Sequence, residues 1–325
     1  MITALLRVAW AWTIAWLTVP LRRLVRGPAR PGWSLRYEVL AHVMRHVAGL
    51  TMSHPLPVIR RLWDASARLA PASGPREVAD CPDVHCEWFG PAGTDSVVLY
   101  LHGGAYVLGS TVAYRDACSR LARESGARVL APDYRLAPEH PHPAALDDAL
   151  AAYRWLVETC GISPRDITVG GDSAGGGLTL ALLTALRDSG APLPARAVLI
   201  SPWADVQGAG GSDRTNAPYD YVPEGSQVRF GKMYAGDRDM RDPAVSPVYA
   251  DLTGLPPMLV MVGGAERLLD VGCGVADRAE ACGVTIVLEV HDDMIHAWPL
   301  FAPVIPESRA AWRRVGAWVR EPIRS

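Results

Sequence analysis

The sequence predicts an α/β architecture: a mostly parallel central sheet covered by helices on both faces, with further helical segments over one edge. Three observations predict it. From Pro75 onward, short apolar runs alternate with helical stretches, the order that builds parallel sheets. The runs are continuously apolar, as strands buried on both faces are. One stretch, 205–251, breaks the alternation. It is rich in Gly, Pro, Asp and Tyr and far longer than an ordinary connection.

The elements follow in order. Residues 1–75 read as helices broken by prolines: an N-terminal run, then 34–50, then 56–69. Strands are expected at 97–101 (VVLYL) and 128–131. An amphipathic helix spans 144–159 and ends at Gly161. A strand at 167–170 leads into a helix at 174–187. Strands at 197–200 and 258–262 flank the long insertion. A helix at 271–281, a strand at 284–290 and a closing helix at 307–319 complete the chain. The predicted organisation is an N-terminal helical cap segment, 1–75, a core made of 76–204 and 252–325, and a cap insertion, 205–251. The two cap pieces would roof the C-terminal edge of the sheet, where open α/β sheets bind ligands.

The chain has 325 residues, 49% of them hydrophobic and 20% charged, enough to bury one large core. A net charge of −2 gives no electrostatic reason to expect nucleic acid as a partner. None of the six cysteines forms a CxxC pair, and no Cys/His cluster has zinc spacing. No metal and no organic cofactor is implied. Cys81 and Cys86 could bridge in an oxidising compartment; isolated reduced thiols are the simpler reading. Oligomeric state is not legible.

Residues 2–21 are apolar apart from Arg7 and a few threonines, and Arg22, Arg23 and Arg26 follow. Trp10, Trp12, Trp16 and Trp33 cluster around this run. Three readings stay open: a membrane anchor, an interfacial helix with Trp and Arg at the headgroups, and a soluble helix packed on the cap. A cleaved signal peptide fits poorly, because the positive charges follow the apolar run. The expected location is cytoplasmic, with membrane association open.

Gly171-Asp172-Ser173-Ala174-Gly175 fits G-x-S-x-G. Chance alone gives about 0.14 copies of this pattern in such a chain. Here it lies between a strand and a helix, the setting of a nucleophile elbow, which would lift the Ser173 hydroxyl above the sheet. A phosphate loop would want a lysine nearby, and there is none. Such an elbow needs amides aimed at a developing oxyanion. Ala174 supplies one. His102-Gly103-Gly104-Ala105-Tyr106 follows VVLYL directly, and the amides of Gly103 and Gly104 are expected to supply the others. His102 is expected to hold this loop by hydrogen bonds.

At these residues the chain resembles the hormone-sensitive-lipase-like branch of the α/β-hydrolases. The resemblance rests on LHGGAYVLGS, PDYRLAPEHPHPAALDD, GDSAGGGL, SPWADV, DPAVSPVYADLTGLPPMLV and HDDMIHAW, over about residues 95–300. It implies the α/β-hydrolase fold and a serine carboxylesterase or lipase acting on short- to medium-chain acyl esters. The family usually writes HGGG where this chain has Ala105. That alanine would narrow the acyl pocket.

In this fold the chain order is nucleophile, acid, histidine. Only His291 and His296 follow Ser173, and His296 matches the family's base. The family's acid, usually the first aspartate of D-P-L-x-D, aligns with Glu266 in Glu266-Arg267-Leu268-Leu269-Asp270. Glu266 is the expected acid, with Asp270 the second choice. Asp172 is expected to point away from Ser173 into nearby loops. Asp133, Arg135 and Glu139 read as one buried polar network. Tyr106, Trp203, Tyr219 and Trp298, with Tyr221 and Tyr234, are candidates for lining a substrate pocket. The expected partner is a small-molecule ester. An acyltransferase or cyclase using the same residues, and a non-catalytic ligand-binding homologue, remain the other readings.

Overall fold

In the computed structural model, residues 2–67, 74–208 and 210–322 are described. Three helices open the chain: α1 (Ile2–Arg26), α2 (Leu35–Ser53) and α3 (Leu56–Ala67). Then come β1 (Arg76–Ala79), β2 (Cys86–Phe89), β3 (Val97–Leu101), α4 (Thr111–Ser125), β4 (Arg128–Pro132), α5 (Ala144–Arg154), β5 (Ile167–Asp172), α6 (Ala174–Asp188) and β6 (Arg196–Ile200). The insertion carries α7 (Ser212–Thr215) and α8 (Ser226–Ala235). The chain closes with β7 (Met258–Gly263), α9 (Leu269–Ala281), β8 (Ile286–His291) and α10 (Pro306–Arg320).

The eight strands run in the order β1-β2-β4-β3-β5-β6-β7-β8. From β4 to β8 every pairing is parallel, while β1–β2 and β2–β4 are antiparallel. The sheet is therefore mostly parallel, as its apolar strands predict: β3, β5, β6 and β7 are buried at every residue. One face carries α5, α6 and α9, through residues such as Ala149, Leu182 and Val275. The other carries α4 and α10, where Leu121 and Trp312 pack with Tyr100. β4 lies on one side of β3 and β5 on the other. A reversal of strand order of this kind is where open α/β sheets place their ligand crevice, here at the carboxyl ends of β3 and β5.

The edge hairpin β1–β2 and helix α4 are additions to the sequence prediction. Each edge strand has only four residues, too few to show a period, and α4 mixes Arg, Asp and Ser with small apolar residues. The helix expected to run to residue 159 is α-helical only to Arg154, and its last turn is a π turn. The predicted third helix reached residue 69; its end lies outside the described residues. All six cysteines are unbridged.

The N-terminal helices and the β6–β7 insertion touch each other. Arg45 donates to the Pro218 carbonyl, Arg229 donates to that of Met52 at 3.0 Å, and Arg30 lies over the Tyr219 ring. Helix α1 packs lengthwise on α2. Among the described residues no helix is long and apolar enough to cross a membrane, which sets aside the spanning reading of residues 2–21.

Candidate active site

Ser173 sits on the turn between β5 and α6 with φ +52° and ψ −119°, a backbone region that L-residues rarely enter. The turn is held from both sides. The Ser173 N–H donates to the Ile200 carbonyl at 2.9 Å, and its own carbonyl accepts from Trp203 at 2.8 Å. Gly175 has to be glycine, since a Cβ there would lie 1.9 Å from the Leu101 carbonyl oxygen. Helix and strand can approach closely only without that side chain. The result holds the hydroxyl at the crevice.

His296 Nε2 lies 2.8 Å from Ser173 Oγ. The histidine comes from the loop after β8, between Asp293 and Ala297, both at positive φ. Its Nδ1 faces Glu266 Oε2 at 3.9 Å. Glu266 follows β7 and is fully buried (0% exposed). The Ser201 hydroxyl donates to Glu266 Oε2 at 2.5 Å and accepts the Ala297 N–H at 3.0 Å. Ser201 therefore ties the carboxylate to the histidine loop from the end of β6. Burial pushes the His296 imidazole down to about 3, because no water remains to solvate its cation. Burial likewise lifts the Glu266 carboxyl well above the usual carboxylate range, against the lowering effect of the Ser201 bond.

Asp270 does not reach this group. It stands in the first turn of α9, where its Oδ2 accepts the Ser212 N–H at 2.9 Å. Glu266 is the carboxylate beside the imidazole.

The loop after β3 departs from expectation at one amide. The Gly103 N–H, expected to face an oxyanion, is turned away into the protein. It donates to the Tyr114 hydroxyl at 3.0 Å and lies 3.3 Å from Asp172 Oδ1. Asp172 in turn accepts from the Tyr114 and Tyr100 hydroxyls at 2.8 and 2.9 Å. This network explains the glycine: a Cβ on Gly103 would lie 2.3 Å from Asp172 Oδ2. It also confirms that Asp172 points away from Ser173. Burial lifts the Asp172 carboxyl to about 6, opposed by the hydrogen bonds it accepts, those from Tyr114 and Tyr100 first. The amides of Gly104, Ala105 and Ala174 have no hydrogen-bond acceptor among the described residues. Gly104 and Ala105 both have positive φ, +120° and +56°, so the peptide plane between them is swung out of extended geometry. His102 Nδ1 lies 2.8 Å from the Gly103 carbonyl, and its ring stacks on Tyr134, fixing the loop as expected.

The aromatic candidates divide. Tyr106 and Trp203 sit together with Tyr234 of α8: the Tyr106 and Tyr234 rings stack at 3.6 Å, and Trp203 lies 5.9 Å from Tyr106. Tyr221 lies 5.9 Å from the His296 ring. Trp298 belongs elsewhere. It is fully buried in the core behind the site, against His291, where a large apolar ring has most area to bury. Tyr219 packs edge-on against Trp33 beneath Arg30, a surface contact with the N-terminal segment. Asp133, Arg135 and Glu139 form three separate pairs, not one network. Asp133 accepts from Thr111, Arg135 binds Asp148, and the half-exposed Glu139 binds Arg60.

Two residues at the site went unread in the sequence. Ser201 is one. The other is Asp220, in the insertion and 2% exposed. Its oxygens accept the N–H groups of His296, Tyr221 and Arg267. Burial lifts its carboxyl to about 6. Ser201 opens SPWADV, a run that carries the family resemblance but assigns this serine no role, and Asp220 lies in none of the matching runs.

A serine on a strand-to-helix elbow, bonded to an imidazole from the loop after the last strand, is the arrangement of an α/β hydrolase. The chain belongs to the α/β-hydrolase fold family, whose model matches residues 98–300. It is 45% identical over 240 residues to an acetyl-hydrolase of Streptomyces hygroscopicus, covering 73% of this chain and 80% of that protein. It is 35% identical over 297 residues to the putative acetyl-hydrolase LipR of Mycobacterium tuberculosis, covering 88% and 95%. The crystal structure of an esterase from the bacterial hormone-sensitive lipase family superposes with a TM-score of 0.85 at 43% identity, over 90% of this chain and all of that one. With these relatives, the chain is a carboxylic ester hydrolase.

Proposed function

We propose that the protein cleaves short-chain acyl esters through an acyl-enzyme on Ser173. The observation that carries this is the 2.8 Å contact between Ser173 Oγ and His296 Nε2 at the mouth of the crevice. His296 takes the hydroxyl proton as Ser173 Oγ attacks the ester carbonyl carbon. Glu266 holds the imidazole by its Nδ1 side and stabilises the imidazolium. The free amides of Gly104, Ala105 and Ala174 accommodate the oxyanion; the Gly103 amide is already bonded elsewhere. The tetrahedral intermediate collapses as the alcohol leaves with the proton from His296. Water, deprotonated by the same imidazole, then releases the acid and restores Ser173.

A preference for short acyl groups, acetyl first, draws support from the acetyl-hydrolase relatives. The N-terminal helices and the insertion 205–251, which touch each other, form the cap that sets this choice. A fluorophosphonate probe should label Ser173, and Ser173→Ala should lower ester turnover by several orders of magnitude while substrate still binds. Across p-nitrophenyl esters from acetate to laurate, kcat/KM should be highest at two to four carbons. Labelling elsewhere than Ser173 defeats the mechanism; a laurate optimum defeats only the chain-length reading.

A further inference from the structure

Helix α1 is divided lengthwise. One side carries Ala11, Ala15 and Val19, all buried against Val39 and Val43 of α2. The other side is bare. Trp10, Leu17, Leu21 and Leu24 recur at steps of seven, four and three, which places them on one stripe. They are 64%, 59%, 65% and 84% exposed, and Trp16 and Val25 flank them at 45% and 83%. Isolated apolar residues on a surface are ordinary; a continuous stripe ending in tryptophans marks an interaction site.

The charge on this helix says what the stripe meets. Ile2–Arg26 holds four arginines and no acidic residue. Arg22 and Arg23 both pair with Glu38, buried in the seam with α2. Arg7 and Arg26 are exposed and have no carboxylate partner among the described residues. A second copy of this helix would set arginine against arginine in either orientation, because the helix has no acid to offer. A surface with an apolar interior and anionic headgroups satisfies both the stripe and the arginines. Indole rings also favour that boundary.

We propose that the exposed face of α1 is an in-plane anchor for an anionic lipid bilayer. The helix lies on the membrane and does not cross it. The anchor is joined to the site. Arg30 Nε and the Gly32 N–H donate to Asp293 at 2.6 and 2.7 Å, and the Tyr37 hydroxyl accepts the Ile295 N–H at 2.9 Å. These contacts grip the loop that carries His296 at two points, Asp293 and Ile295, just before the histidine. A bilayer holding α1 thus also holds the active-site entrance near its surface.

Flotation of the full chain with vesicles of phosphatidylcholine and phosphatidylglycerol (about three to one) tests this without reference to any ester. The chain should float with these vesicles, less with pure phosphatidylcholine, and less again at high salt. Brominated lipids should quench its tryptophan fluorescence. Leu17→Asp with Leu21→Asp should abolish flotation, and Trp10→Ala should weaken it. Arg7→Gln and Arg26→Gln should each lower affinity about fivefold. Circular dichroism and turnover of a soluble short ester should stay unchanged in these variants. The proposal falls if the unmodified chain stays at the bottom of the gradient with anionic vesicles. It falls equally if the leucine variants float as the parent does, or if light scattering shows a dimer that those variants dissociate.

Discussion

Asp220 accepts the His296 N–H through one carboxylate oxygen at 3.1 Å and the Arg267 N–H through the other at 2.8 Å. Arg267 is the residue after Glu266. One buried side chain of the insertion therefore fixes the spacing of the two loops that bring imidazole and carboxylate together. An asparagine keeps the shape but turns one acceptor into a donor, setting N–H against N–H. Asp220→Asn should lower kcat about tenfold to a hundredfold through misplaced groups, with KM within about threefold. Asp220→Ala leaves buried amides unpaired and should cost about 1–3 kcal/mol of stability for each donor that water cannot reach. Steady-state kinetics and thermal melts of both variants check this. An asparagine variant with changed KM and intact kcat would make Asp220 a substrate-site residue instead.

Glu266 and Asp270 make opposite predictions from the same five-residue pattern. Glu266 faces the imidazole and is held by Ser201, whereas Asp270 accepts from Ser212 at the start of α9. Glu266→Gln should lower kcat by about a hundredfold to ten-thousandfold, since the neutral amide neither orients nor balances the imidazolium. Asp270→Asn should change kcat by less than about threefold. Ester turnover of the two variants, side by side, decides the assignment.

Much of this site could be read before folding because its parts are local. The elbow at 171–175 and the loop at 102–106 each follow an apolar strand directly, and chain order left only two histidines for the base. Register and reach were harder. The Gly103 amide is oriented by Tyr114, eleven residues away on a helix the sequence did not announce. Trp298, a candidate pocket residue in the sequence, lies two residues past His296, but the turn at Ala297 (φ +47°) sends its ring into the core. Ser201 reaches Glu266 and Ala297 across 65 and 96 residues, and Asp220 reaches Arg267 and His296 across 47 and 76. No spacing rule reaches that far.

Tyr114 offers a test of the oxyanion loop. Its hydroxyl accepts the Gly103 N–H and donates to Asp172, so one oxygen locks the loop to the strand that carries Ser173. Tyr114→Phe removes that oxygen without adding volume. The Gly103 amide is then left with Asp172 Oδ1 at 3.3 Å, and Asp172 loses one of its donors. Stability should fall by about 1–3 kcal/mol. The amides of Gly104 and Ala105 are displaced only indirectly, so kcat should fall about threefold to tenfold, well short of the hundredfold or more that follows loss of an oxyanion donor. A loss that large would show that the Gly103 amide itself serves the transition state.

The pH profile tests the electrostatics of the pair. His296 must be neutral to take the Ser173 proton. Burial lowers its pKa from 6.5 to about 3. For a base of pKa 6.5, kcat/KM at pH 5.5 would be about one tenth of its plateau. For the buried imidazole it should stay within about twofold of the value at pH 7.5. The fold should survive the same change. A histidine with a lowered folded pKa adds stability above 6.5 that is lost as pH falls toward 3. Asp172 and Asp220, both raised from 3.8 to about 6, work the other way: protonation on descent through 6 relieves the cost of burying their charges. Circular dichroism at pH 5.5 separates the two effects. An acid limb with its midpoint at or above 6.5, on a protein still folded, would mean that the Glu266 carboxylate outweighs desolvation and holds a proton on His296.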